Sequence, residues 1–100
     1  LQVGTMSHSA GHKITPHRHL PYARKTEGTQ EVLVIKKGTL AAHFFNPDDA
    51  KVAEVVVSAG DLIVLLGGAH SFHVVDDVEM VEIKNGPYAG SEDKVRFNGA

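Results

Sequence analysis

Short apolar runs alternate with polar positions along most of this chain, and glycine, asparagine, aspartate and proline separate the runs. Successive side chains on a strand point to opposite faces, so a two-residue period is typical of β-strands on a core. No part of the chain sustains the 3.6-residue period of a helix. The predicted strands are Leu1–His8, His12–Thr15 running into His17–His19, Gln30–Lys37, Thr39–Asn46, Lys51–Val57, Leu62–Leu66, Ala69–Val75 and Glu79–Lys84.

Turn residues separate the later strands. Turns are predicted at Gly38, Asn46–Asp49, Ser58–Asp61 and Asp76–Asp77. Closely spaced strands with such turns predict an all-β sandwich or barrel. Two long segments, 20–29 and 86–100, interrupt this regularity. Long loops in a compact domain are often functional, so these segments are candidates to lie near a site.

Composition narrows the partners and the compartment. One hundred residues predict one domain, 1–100, whose core spans about residues 11–85, followed by a tail at 86–100. The net charge of −2 offers no field for nucleic acid, and no apolar run is long enough to cross a membrane. The lack of cysteine fits a reducing compartment, and we expect the cytoplasm. We expect residues upstream of Leu1, because the chain does not begin with methionine.

Three histidines and one carboxylate are the candidate chemical groups. His17 and His19 lie two positions apart, which on a strand puts both imidazoles on one face. The turn at Gly67–Gly68 delivers His70 to the start of a strand, and Glu31 shares a strand face with apolar residues. Imidazole and carboxylate together suit a divalent Fe, Mn, Ni, Zn or Cu ion, and the sequence does not select among these metals.

These residues resemble the two motifs of the cupin family. Residues 11–38, "GHKITPHRH" followed by "EVLVIKKG", are similar to the first motif, and residues 60–70, "GDLIVLLGGAH", are similar to the second. The chain also resembles a group of small single-domain cupins that are largely uncharacterised. The resemblance implies a small antiparallel β-barrel or jelly roll that holds one metal with three histidines and a glutamate. Those residues are His17, His19, Glu31 and His70, with Gln30 or Glu27 as alternative fourth ligands.

Further polar residues are candidates to contact a substrate. Tyr22 is a candidate proton donor, and Arg24 and Lys25 are candidates to bind substrate charge, although a solvated basic loop is the favoured interpretation of this segment. Glu82 and Lys84 share one strand face and would form a polar pair in the pocket if that face turns inward. The remaining histidines are expected on the surface: His8, His12, His43 and His73.

Three functions remain open from the sequence. The first is a metal-dependent enzyme acting on a small polar molecule with a carboxylate, keto or sugar-like group. The second is a metal-free isomerase or epimerase of sugars or sugar nucleotides, in which a histidine transfers a proton. The third is a module that binds a small ligand without turnover. A homodimer is expected because apolar strands of so small a domain would otherwise stay exposed, and Tyr88 is expected to pack over the barrel or against the second subunit.

Overall fold

A computed structural model describes residues 1–86 and 89–99, so Tyr88 lies outside the described residues. Strands make up 44% of these residues and helix 3%, which confirms the all-β prediction. The strands are β1 (Glu31–Phe45), β2 (Lys51–Ser58), β3 (Leu62–Leu65) and β4 (Ala69–Lys84), and a 3₁₀ turn follows at Gly90–Glu92. In this part of the chain no helix is long and apolar enough to span a bilayer.

β1 is the central strand of one four-stranded antiparallel sheet that is not closed. Residues 31–34 of β1 pair with β3, so that Glu31 lies opposite Leu65 and Val34 lies opposite Leu62. Its later residues pair with β2, where Leu40 lies opposite Val57. β4 pairs with β1 along nearly the whole strand, from Lys84 opposite Glu31 to Ala69 opposite Phe45. β1 and β4 therefore form a long two-stranded ribbon, and β2 and β3 line the other side of β1.

Two predicted turns lie inside long strands, so the turn predictions at Gly38 and at Asp76–Asp77 were wrong. β1 continues through Gly38, which has a φ of 86°, and the register with β4 shifts at this level. A Cβ on Gly38 would lie 2.0 Å from the carbonyl oxygen of Asp77. The glycine and the aspartates mark facing irregularities in the two strands, because a bulge and a hairpin turn use the same residue types.

The other two predicted turns are present. Asn46 Oδ1 accepts hydrogen bonds from the backbone N–H groups of Asp48 at 2.9 Å and Ala50 at 3.0 Å. In the second turn the carboxylate of Asp61 accepts from the Ser58 N–H at 2.9 Å, and Gly60 has a φ of 95°. Both turns follow from short polar side chains that satisfy backbone groups where a strand ends.

Residues 1–29, called the N-terminal arm below, contain no strand and are exposed up to Gly28. The strands predicted at Leu1–His8, His12–Thr15 and His17–His19 are therefore not formed. The first residue of the arm lies back against its last residues. The amino group of Leu1 donates to the side chain of Gln30, which directly precedes β1. Apolar alternation makes a strand only where a neighbour pairs with its backbone, and Pro16 and Pro21 also remove two donors.

The core is small and centred on β1. Leu33, Ile35 and Leu40 are almost fully buried, and Val57 joins the cluster from β2. Leu62 of β3 is 47% exposed. Within residues 1–86 and 89–99, β3 pairs only with β1 and no second layer covers its outer face. The sheet therefore has one packed face and one face that is largely open.

Candidate functional site: a pocket where the ends of the ribbon meet

The ribbon of β1 and β4 bends enough to bring its two ends together. Glu31 begins β1, whereas His70 pairs near the end of the same strand, opposite Phe44. A flat strand of this length would hold those ends tens of ångströms apart. Instead, the Nε2 atom of His70 lies 3.2 Å from Oε2 of Glu31. The facing irregularities at Gly38 and Asp77 lie at the middle of the ribbon, where added twist and bending are expected.

A pocket of about 850 Å³ lies at this junction. It is lined by residues from both ends of β1, both ends of β4, the glycine turn before β4 and the C-terminal tail. Among its lining residues are Glu31, Phe45, His70, Phe72, Glu82 and Lys84. Its size and mixed polar and apolar lining suit a small-molecule ligand.

Four charged or ionisable side chains form one network on the pocket wall. Nζ of Lys84 lies 3.3 Å from Glu31 and 3.4 Å from Glu82, and Glu31 also contacts His70. The side chains of Glu31, Lys84 and His70 are 12%, 18% and 28% exposed. Low exposure limits screening of the Glu31–Lys84 ion pair by water, whereas Glu82 is 53% exposed and its ion pair with Lys84 is screened more strongly.

The pKa of Lys84 is raised above its ordinary value of 10.5. The largest cause is the hydrogen bond that its ammonium group donates to Glu31, and the negative charges of Glu82 and Glu31 act in the same direction. Partial burial opposes the shift. Lys84 is therefore a cation at neutral pH and partly neutralises two carboxylates in the pocket.

The predicted metal ligands lie in two separate pairs. Glu31 and His70 are in the pocket, while His17 and His19 lie on the exposed arm with ring centroids 5.3 Å apart. Nδ1 of His17 donates to the Thr15 carbonyl at 2.8 Å. Within residues 1–86 and 89–99 no three His, Asp or Glu side chains converge to hold a metal. The donor chemistry suits a divalent metal, but this arrangement assembles half of the set.

The structure brings Glu82 and Lys84 into the pocket and leaves the other predicted substrate contacts on the arm. Tyr22 is exposed, and the guanidinium group of Arg24 lies 5.1 Å above its ring. Lys25 forms an exposed ion pair with Glu27 at 3.1 Å. Tyr22, Arg24 and Lys25 therefore lie outside the pocket lining, and Glu27, the partner of Lys25, is the arm carboxylate that lines the pocket.

The histidines expected outside the site lie elsewhere. The rings of His8 and His12 stack at 4.4 Å on the arm. His73 is exposed on β4, and His43 is half-buried with Nε2 3.5 Å from Glu54 of β2. The alternative fourth ligand Gln30 donates its backbone N–H to the side chain of Asn85 at 2.8 Å. None of these five residues lines the pocket.

The C-terminal tail, which the sequence singled out as a long loop, contributes residues to the pocket that were not among the predicted site residues. Lys94 and Arg96 line the pocket, and Phe97 packs edge-on against Phe45 with ring centroids 5.3 Å apart. The signal was present in "DKVRF", where two cations alternate with apolar residues and an aromatic residue follows. Such an alternating segment is typical of a chain that lies across a surface.

Comparison with family models, curated proteins and solved structures finds no match for this chain. The case for a function therefore depends on the motif resemblance and on the geometry of the pocket.

Proposed function

We propose that this protein is a small single-domain cupin whose pocket binds and acts on a small polar molecule at Glu31 and His70. The observation that carries the proposal is the 3.2 Å contact between these side chains. Each comes from a different one of the two segments that resemble cupin motifs, and the sheet brings them together at a pocket. Closure of this sheet into a small barrel or jelly roll is part of the proposal.

The residues of the network have distinct roles in this proposal. Glu31 lies against one ring nitrogen of His70 and orients the imidazole. His70 takes or gives the proton at a carbon beside a carbonyl group, as histidine often does in enzymes. Lys84 donates to a substrate oxygen, and Glu82 accepts from a substrate hydroxyl. Lys84 is suited to its role because the carboxylates beside it keep it charged.

A metal-dependent form of the site uses the complete predicted set, His17, His19, Glu31 and His70. It is supported by the two pairs, each already close within itself. The arm must approach the pocket for the two pairs to meet, and Lys84 must release Glu31. A bound divalent metal would supply Lewis-acid polarisation of a carbonyl or carboxylate group.

A metal-free form of the site uses the network as it stands. It is supported by the ammonium group of Lys84, which lies 3.3 Å from the Glu31 carboxylate and occupies one of its oxygens. In this form the arm histidines have no part in the reaction. The expected chemistry is proton transfer next to a carbonyl, as in isomerisation or epimerisation of a sugar or keto acid.

Metal content tests which form applies. Untagged protein, purified without chelator and incubated with Zn²⁺ or Fe²⁺, would be measured by plasma mass spectrometry beside His17→Ala and His70→Ala. For the metal-dependent form we expect about one metal per chain in the wild type and loss in both variants. His12→Ala, also on the arm, and His73→Ala, on β4, are matched controls that should keep the metal.

Two results would contradict the metal-dependent form. One is a wild-type protein that takes up no metal, and the other is uptake that depends equally on His12 and His73. Either result leaves the metal-free form as the proposal. Binding of a small keto acid that survives His70→Gln and Glu31→Gln without change would contradict both forms.

A further inference from the structure

The C-terminal segment 93–99, called the strap below, lies over the pocket between two anchors. At one end the Thr29 hydroxyl donates to Asp93. At the other end Phe97 packs edge-on against Phe45, and Gly99 lies so close that an added Cβ would come within 2.7 Å of the Phe45 ring. Residues from Asp93 to Phe97, together with Gly99, line the pocket. The strap is therefore attached to the sheet on both sides of Lys94, Val95 and Arg96.

The carboxylates that line the pocket already have partners. Glu31 and Glu82 contact Lys84, and Glu27 pairs with Lys25 at 3.1 Å. The fourth, Asp93, accepts the hydrogen bond from Thr29 that anchors the strap. Each of these carboxylates therefore has a hydrogen-bond or ion-pair partner other than the cations of the strap.

Lys94 and Arg96 have no such partner. Among residues 1–86 and 89–99 neither forms an ion pair, and both line the pocket. Lys94 and Arg96 are therefore available to pair with an anionic group at the mouth of the pocket.

We infer that Lys94 and Arg96 bind an anionic group, a carboxylate or a phosphate, on the ligand of this pocket. Guanidinium binds both groups in a bidentate manner, and an ammonium group adds a second charge-assisted hydrogen bond. The anionic end of the ligand lies at the strap, and its reacting end points to Glu31 and His70. The inference rests on the proposed function and narrows its substrate class to small anions.

The test is an NMR titration of ¹⁵N-labelled protein at constant ionic strength. The probes are pyruvate, inorganic phosphate and pyruvamide, which is the neutral counterpart of pyruvate. We expect pyruvate and phosphate to shift the amide signals of Gly67 and Gly68, which line the pocket, and to reach saturation. The double variant Lys94→Gln/Arg96→Gln should weaken that binding by about tenfold or more, the effect of losing charged hydrogen bonds.

The matched control is Lys13→Gln/Arg18→Gln, which removes the same charge from the exposed arm at residues that do not line the pocket. It should bind pyruvate as the wild type does. A second variant, Phe97→Ala, keeps both cations but removes the aromatic anchor of the strap and should also weaken binding. Both strap variants alter exposed side chains, and circular dichroism would verify that their fold is unchanged.

Three results would overturn the inference. Equal weakening in the arm control would show that only net charge matters. Unchanged pyruvate affinity in the strap variants would show that the strap does not contact the anion. Absence of any shift with both pyruvate and phosphate would show that the pocket takes no small anion. Pyruvamide distinguishes the failure of one proposal from the failure of the other. If it binds as tightly as pyruvate, the pocket still binds a small polar molecule, but the inference that Lys94 and Arg96 bind an anion is wrong.

Discussion

Lys84 illustrates how the side chains of this site depend on one another. Its ammonium group contacts Glu82 on its own strand and Glu31 on the neighbouring strand. The first contact is local, since residues two apart on a strand share a face. The second depends on the register that places Lys84 opposite Glu31. The sequence predicted the shared face of Glu82 and Lys84, and the register supplied the second carboxylate.

At this scale we predict an alkaline loss of stability that depends on Lys84. Its pKa is higher in the folded protein than its ordinary value of 10.5, so folding favours the charged form. The contribution is complete below the unfolded pKa and disappears as the pH rises through the folded pKa. The difference in free energy of unfolding between wild type and Lys84→Gln should therefore be constant from about pH 6 to 9 and shrink above about pH 10.5.

Urea denaturation at several pH values measures that difference. Lys13→Gln on the exposed arm is the control and should show no such dependence. A wild-type advantage over Lys84→Gln that is the same at pH 9 and at pH 11.5 would contradict the prediction. It would show that the ammonium group gains nothing from Glu31 and Glu82 on folding.

At the scale of elements, the central feature is the pair of facing irregularities at Gly38 and Asp77. At each of them, two short predicted strands continue as one long strand. Gln30–Lys37 and Thr39–Asn46 were predicted as two strands and form β1, and Ala69–Val75 and Glu79–Lys84 form β4. Gly38 allows this continuity because its backbone has positive φ and lies against Asp77. Because the ribbon bends there, both of its ends contribute to one pocket.

Gly38→Ala should therefore destabilise the protein severely. The substitution combines a strained φ with a Cβ placed 2.0 Å from a backbone carbonyl, which cannot rotate away. We expect a loss of about 3 kcal/mol or more in the free energy of unfolding. Gly60→Ala is the matched control, because Gly60 also has positive φ but has open space at the Cβ position. Its loss should be about 1 to 2 kcal/mol, the cost of the backbone conformation alone.

Chemical denaturation of the two variants gives both values. Equal losses in Gly38→Ala and Gly60→Ala would contradict the importance of the close approach to Asp77. If Gly38→Ala is too unstable to fold, its absence from the soluble fraction under conditions that yield folded Gly60→Ala gives the same ranking.

At the scale of the whole molecule, this chain leaves much apolar surface exposed. Its radius of gyration is 16.9 Å, whereas a compact chain of this length has about 13 Å. The arm extends away from the sheet, and β2 and β3 expose valine and leucine side chains. Val56 of β2 and Leu62 of β3, for example, are 61% and 47% exposed. Apolar sheet surface of this kind is typical of a protein interface.

We propose that a second copy of the chain covers this surface to form a homodimer. Sedimentation velocity of the untagged protein should show a species of about twice 10.7 kDa. Val56→Lys on β2 should shift the population toward monomer, because a buried unpaired charge is costly. Val95→Lys is the control, since Val95 is exposed on the strap and not on the sheet. A single species of 10.7 kDa in the wild type would contradict the dimer.

Some features of this fold have local causes in the sequence, and others have tertiary causes. The β class, the turns at Asn46–Asp49 and Ser58–Asp61, and the strand bounds of β2 were predictable because they depend on neighbours along the chain. The continuity of β1 through Gly38 was not, because a glycine with positive φ suits a turn or a bulge equally well. The strands expected in the arm failed for the same kind of reason, since a strand requires a pairing partner.

The features of the candidate site also have either local or tertiary causes. The sequence by itself determined the residue types that carry the chemistry, including Glu31 at the start of a strand and His70 after a glycine turn, because local patterns place them on strand ends. Only the tertiary structure decided that these two side chains meet, that Lys84 joins them, and that the strap with Lys94 and Arg96 lies over the pocket. Those contacts join residues far apart in the chain, and their distances depend on how the ribbon bends, which no local pattern encodes.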